Sequence, residues 1–232
     1  MKKSVLFICI AAACSFVFAL SLCLASLTAP VFAYENKLKI VLDAGHGGID
    51  GGVVGAKTGK KESEINLSLV MLLKTELEEA GFEVALTRKT DAGLYGVATQ
   101  GFKRRDMKKR KEIIEREDPA LVLSVHQNFY PSKSVRGGQV FFETGNEGGE
   151  LLAKSLQNEL NGLYEKEGAK ARKEKTGEYY ILSCGDCPSV IVECGFLSNE
   201  KDEALLTGQN GRKKIVGALF AGVLGYFSAL GA

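Results

Sequence analysis

Only two histidines occur among the 232 residues of this chain, and each closes an apolar run. His46 ends LKIVLDAGH (Leu38–His46) and His126 ends ALVLSVH (Ala120–His126). A third run, SVIVE (Ser189–Glu193), ends in the carboxylate of Glu193. A further carboxylate, Glu62, opens a segment with helical periodicity. A catalytic zinc site needs three nitrogen or oxygen ligands, an open position for water and a nearby base. Two imidazoles and several carboxylates at the ends of apolar runs are the residue types it requires. Taken singly, each has a plainer explanation. His46 would be a loop histidine in a glycine-flanked turn, and His126 a hydrogen-bonded residue at a strand end. Glu62, or Glu64 beside it, would be a first-turn carboxylate favoured by the helix dipole. Spacing alone does not choose between Glu62 and Glu64. Glu193 is harder to dismiss, because a bare carboxylate ending an apolar strand is unfavourable without a cation, hydrogen bonds or a shifted pKa.

The elements that would position these groups follow from periodicity. Leu38–Leu42 reads as a buried strand and Phe82–Thr87 as a second. Ala120–His126, Gln139–Phe142, Tyr179–Leu182 and Ser189–Glu193 complete a set of about six. Between them, Ile65, Leu67, Leu69, Leu72, Leu73 and Leu77 are read as one face of a helix over Glu62–Ala80, stopped by Gly81. Helices are also expected over Phe102–Glu117, Leu151–Leu163 and Lys213–Leu230. Strands alternating with helices predict an α/β fold: a single domain with a mostly parallel twisted sheet covered by helices on both faces. Ligands bind such sheets beyond the carboxyl ends of the strands. His46, His126 and Glu193 all lie at or just past such ends. The two histidines therefore occupy equivalent topological positions, which weakens the plainer explanation of each.

Composition narrows the function classes. Met1-Lys2-Lys3 and the uncharged stretch Val5–Leu27 read as an export leader, with Val31 and Ala33 suited to cleavage at Ala33/Tyr34. Residues 1–33 are thus expected to be a signal peptide or, the apolar stretch being long, an N-terminal membrane anchor. Residues 34–232 are expected to form one exported catalytic domain. Lys2 and Lys3 account for the whole excess of 30 basic over 28 acidic residues, so the remainder is formally neutral. That argues against a nucleic-acid partner. The cluster Lys103-Arg104-Arg105 with Lys108 to Lys111 reads as a solvated helix face. Three of the six cysteines precede residue 34. Cys184, Cys187 and Cys194 are an odd set, expected as free thiols before a local disulfide or a metal site.

Five segments carry a resemblance to a known family. IVLDAGHGGIDGG (Ile40–Gly52), KESEINLSL (Lys61–Leu69), VALTR (Val84–Arg88), LSVHQN (Leu123–Asn128) and VECGFLSN (Val192–Asn199) occur in the order found in zinc-dependent N-acetylmuramoyl-L-alanine amidases of bacterial cell walls. In that family the first carboxylate of an E-x-x-x-N-L element binds metal, which falls on Glu62 rather than Glu64. The resemblance implies one Zn²⁺ held by His46, Glu62 and His126, with Glu193 as the catalytic carboxylate. Asn128, Arg88 and Asp43 are candidates for orienting the imidazoles or the substrate. Three positions depart from the common pattern: Ser63 stands where lysine is usual, Gln127 where a small residue is usual, and Cys194 follows the catalytic glutamate. None removes a proposed ligand. A more loosely held zinc would be compatible with a helper protein.

With Gln100–Ile114 before the third strand and no wall-binding repeat in the chain, the sequence is most similar to the short sporulation-type, germination-specific amidases. The implied substrate is spore-cortex peptidoglycan, in the cell wall or the space around the forespore. Removal of the peptide there lets muramic-δ-lactam form. The implied reaction cleaves the amide between the lactyl carbonyl of N-acetylmuramic acid and L-alanine. Membrane contact is expected only through the N-terminal segment. Two alternatives use the same residues: a zinc carboxypeptidase or peptidase of the wall, and a peptidoglycan-binding protein without activity.

Overall fold

The computed structural model describes residues 37–231. Its central strands are β1 (Lys39–Ala44), β3 (Leu121–Asn128) and β6 (Ser189–Phe196), flanked by β2 (Glu83–Leu86), β4 (Gln139–Phe142) and β5 (Lys175–Thr176). Their order is β2-β1-β3-β6-β4-β5. The first four neighbours run parallel, β4 is antiparallel to β6, and β5 is parallel to β4. Side chains alternate between the faces of a strand, and here the alternation sorts two cores. Ile40, Leu42, Leu121, Leu123, Val190 and Val192 enter the larger core. Val41, Val122 and Ile191 enter a smaller core on the other face. Burial on both sides explains why these strands read as continuous apolar runs.

Among the described residues five helices cover the sheet: α1 (Glu62–Glu79), α2 (Phe102–Glu117), α3 (Glu147–Lys166), α4 (Glu200–Thr207) and α5 (Gln209–Leu230). Helix α1 buries Ile65, Leu69, Leu73 and Leu77, a stripe spaced by four residues that lies along one side. Helix α3 starts earlier than its apolar pattern suggests, because the Asn146 side chain accepts a hydrogen bond from the Gly149 amide. Helix α5 is long and apolar enough to cross a membrane. Its Ile215, Leu219 and Val223 are instead fully enclosed in the larger core. A stripe of this kind belongs to a core helix. Helix α2 lies on the opposite face with the smaller core, to which it contributes Ile114.

Three expectations from sequence change. Tyr179–Leu182 is not a strand; Tyr180–Ser183 forms a 3-10 turn. Tyr179 and Tyr180 are exposed while the consecutive Ile181 and Leu182 are both buried, a pattern the alternation of a strand does not permit. The sixth strand is the two-residue β5, whose Lys175 and Thr176 pair with Phe141 and Phe142. Helix α4 had no apolar signature; the Asn199 side chain caps it by accepting from the Lys201 and Asp202 amides. The basic segment in α2 is not wholly a solvated face, since Arg110 and Asp106 are buried there. Cys184, Cys187 and Cys194 are free and buried, as expected of them. The expected cleavage site at Ala33/Tyr34 lies outside the described residues.

Candidate metal centre

Strand β1 ends at Ala44, and the chain turns through Gly45-His46-Gly47-Gly48. His46 sits at φ 61°, a left-handed conformation unusual for a residue with a side chain. Its glycine neighbours permit the close approach this requires. A Cβ on Gly45 would overlap the His126 ring, and one on Gly52 would overlap the Glu62 carboxylate. His126 comes from β3, where it lies level with Glu193 of β6. Beyond that pair the register slips, so that Asn128 pairs with Phe196. Such a bulge re-aims the side chains at a sheet end.

The two imidazoles meet Glu62 at the start of α1. Glu62 Oε1 lies 3.2 Å from His46 Nε2 and 3.0 Å from His126 Nδ1. The ligand-capable atoms of the three residues all fall within 4.8 Å of one another. Tetrahedral zinc with bonds of ~2.0–2.1 Å sets its ligand atoms ~3.4 Å apart, so the spacing and the donor types fit that ion. The carboxylate itself is fixed. Oε2 accepts from the Val53 amide at 2.9 Å, and Oε1 accepts from the Gln127 amide at 3.1 Å and from Asn66 Nδ2 at 3.3 Å. Burial opposes ionisation of Glu62, but the two histidines outweigh it and hold the carboxyl far below its ordinary range. Burial also opposes protonation of His46, and Glu62 and Asp50 outweigh it to raise the imidazole pKa.

Glu193 is in the opposite situation. Burial pushes its carboxyl up to about 7, with the Glu62 charge adding to the rise and both histidines opposing it. Its Oε2 is buried with no hydrogen-bond partner. A buried polar atom without a partner is rare and calls for an explanation in chemistry. A carboxyl with a pKa near neutrality can take up and release protons there.

The remaining sequence candidates do not touch the imidazoles through side-chain hydrogen bonds. Asn128 Oδ1 accepts from the Phe129 amide at 2.8 Å. Arg88 is buried and donates to the carbonyls of Ala44, Gly45, Thr90 and Ser63, which ties the turn to α1. Asp43 accepts from Thr87 Oγ1 and Ser124 Oγ, both at 2.6 Å, and from Arg110. Burial pushes the Asp43 carboxyl up, yet Arg110 and the two hydroxyls outweigh it and hold it at about 2.

Four residues important to the site escaped the sequence reading. Asp50 Oδ1 lies 3.1 Å from His46 Nδ1, leaving Nε2 to face Glu62. The i, i+4 relation of His46 and Asp50 inside the glycine-rich segment was a signal for it. Arg110 donates to Asp43, to Ala44 O and, at 2.7 Å, to His46 O, which pins the left-handed turn from below. Asn66 bridges Glu62 and Gly45 O, and its Oδ1 accepts from Gln127 Nε2 at 3.0 Å. Gln127, a departure from the common pattern, is thereby built into the support of Glu62. Glu203 accepts from the Lys57 and Thr58 amides and fixes the loop leading into α1.

A cavity of about 340 Å³ opens beside the histidines, walled by Tyr95, Phe102, Tyr180 and Ile181. A parallel α/β sheet whose strand ends bring two imidazoles to such a cavity, with a fixed carboxylate meeting both and a half-buried acid level with one of them, defines a hydrolase with a metal-competent centre. Comparison with known proteins makes the class specific. The sequence profile of the Amidase_3 family, N-acetylmuramoyl-L-alanine amidase, matches residues 40–224. The chain belongs to this family and is an amidase that hydrolyses the bond between N-acetylmuramic acid and L-alanine in peptidoglycan. The germination-specific N-acetylmuramoyl-L-alanine amidase of Bacillus subtilis (strain 168) is 33% identical over 195 residues, which cover 83% of this chain and 81% of that protein. The CwlD amidase of Clostridioides difficile, solved in complex with the GerS lipoprotein, is 35% identical with a TM-score of 0.78, covering 83% of this chain and 100% of that one. The catalytic domain of CwlV from Bacillus (Paenibacillus) polymyxa, 24% identical with a TM-score of 0.70 over 82% of this chain and 98% of that one, shares the fold.

Proposed function

We propose that His46, Glu62 and His126 hold one Zn²⁺ and that Glu193 moves the proton during amide hydrolysis. The observation that supports this most strongly is the meeting of Nε2, Nδ1 and Oε1 near a half-buried acid whose Oε2 is enclosed without a hydrogen-bond partner. When bound, zinc supplies a Lewis acid that polarises a carbonyl and acidifies water. Glu193 Oε2 takes the proton of the attacking water and returns it to the nitrogen of L-alanine as the carbon–nitrogen bond breaks. Asp50 keeps His46 in the tautomer that presents Nε2. The ionised Glu62 is held by three donors, so it does not compete with Glu193 for that proton.

The substrate we propose is spore-cortex peptidoglycan, where peptide removal leaves muramic acid able to form the δ-lactam. The likeness to a germination-specific amidase supports this reading. Its site of action requires export, for which residues 1–33 would serve as a signal peptide or membrane anchor. A helper protein that binds the amidase is part of the proposal, supported by the GerS lipoprotein in the CwlD complex. The test is zinc-dependent digestion of purified cortex and of vegetative sacculi, read by mass. Release of intact stem peptides, with cortex preferred, is the expected result. Shortened stems would mean a peptidase, and equal digestion of both walls would remove the spore assignment.

A further inference from the structure

The cavity beside the histidines holds a cation that the reaction as described does not use. Two basic side chains other than the histidines line it, Arg110 and Lys103. Arg110 is buried and fully engaged with Asp43, Asp106 and two carbonyls. Lys103, in the first turn of α2, has a side chain 68% exposed and one ionic contact, 3.5 Å from Asp50 Oδ2. An ammonium has three donors, so Lys103 keeps capacity for an incoming acceptor. The other carboxylate oxygen of Asp50 faces His46 Nδ1. Lys103 therefore stands one carboxylate and one imidazole away from the ligand-bearing edge of the site, on the order of 10 Å, which two to three extended residues at ~3.3–3.6 Å each would span.

We infer that Lys103 is a specificity-determining residue that receives a free carboxylate of the stem peptide, on the residue after L-alanine. This rests on the amidase reading above. The leaving group of that reaction is an anionic peptide, whereas the glycan portion of the cavity's occupant offers no such charge beyond the bond cleaved. Tyr95 and Phe102 wall the cavity beside Lys103, while the exposed ammonium leaves any ionic contact made there open to screening by salt. Tyr95 is itself held in place, its hydroxyl accepting from the Ile49 amide at 2.8 Å and its ring packed edge-on to Phe102 at 5.3 Å. The cation thus sits on a wall that does not need to rearrange to meet the peptide.

The experiment uses the full chain loaded with zinc and two soluble glycopeptides in which the γ-carboxyl of the D-glutamyl residue is amidated, one with its α-carboxylate free and one with the α-carboxyl amidated as well. The wild type should prefer the carboxylate form by about 5–10-fold in kcat/KM, mostly through KM, with the preference shrinking as salt rises. Lys103→Ala should bring the ratio near one, Lys103→Glu should invert it, and Lys103→Arg should restore it. Thermal midpoints of the three variants confirm that they are folded. An unchanged ratio in Lys103→Ala, or no preference in an active wild type, would overturn the role of Lys103 alone. Hydrolysis of neither compound, with wall also left intact, would overturn the amidase reading and this one with it.

Discussion

Replacing Arg110 by methionine should destabilise the fold far more than a change in a lysine-rich helix suggests. Arg110 is 2% exposed, and its guanidinium meets Asp43, Asp106, Ala44 O and His46 O. Methionine keeps much of the volume but leaves Asp43 buried without its counter-ion, held only by the Thr87 and Ser124 hydroxyls. Breaking a buried pair from one side costs about 3–5 kcal/mol. For a domain of this size each 1 kcal/mol moves the thermal midpoint by about 2–4 °C, so a fall of about 10 °C is expected at pH 7. The pH dependence separates this cause from lost packing. In the wild type the Asp43 carboxyl is held at about 2, below its ordinary 3.8. Its stabilisation is therefore complete above about pH 4 and is lost as pH falls toward 2, a contribution of about 2 kcal/mol. In Arg110→Met the largest attraction is gone, burial dominates, and the Asp43 pKa rises above its unfolded value. The variant is then penalised at neutral pH and relieved in acid. Denaturant unfolding of both proteins from pH 7 to 2.5 should show the gap narrowing as pH falls. A gap that stays constant with pH, or a loss under about 1 kcal/mol, would refute the assignment of Arg110 as the counter-ion of Asp43.

Other outcomes follow from the site. Glu193→Gln should fold, keep stoichiometric zinc and lose at least about 100-fold in turnover; wild-type-like rates would remove Glu193 from the reaction. Asp50→Ala should weaken zinc binding by about 10–100-fold in a chelator competition, because His46 loses the partner that selects its tautomer. Gly45→Ala places a methyl group where the His126 ring lies; metal content should fall with the fold retained, as far-ultraviolet circular dichroism would show. His126→Ala should abolish stoichiometric zinc, and unchanged metal content would count against that ligand.

The sheet and the four central groups were legible because burial on both faces writes itself into continuous apolar runs, and because polar residues at the ends of those runs stand out. His46, His126 and Glu193 were found in this way; choosing Glu62 over Glu64 needed the family resemblance. Glu62 is buried against both imidazoles, whereas Glu64 is exposed. What escaped was held by contacts between distant segments. Arg110 looks like one more cation in a basic run, and nothing local tells that it reaches 67 residues back to Asp43. The false strand at Tyr179–Leu182 has strand-like residue types, but its burial follows from two neighbouring side chains entering the same small core. Helix α4 depends on the Asn199 cap more than on periodicity.

Cys184, Cys187 and Cys194 share one further property: none is cross-linked. Burial pushes the Cys184 thiol up to about 11 and raises Cys187 and Cys194 as well, so thiolate, the reactive form, is scarce at neutral pH. Residues 37–231 consequently close on themselves with no covalent staple. Added reductant should leave their thermal midpoint unmoved.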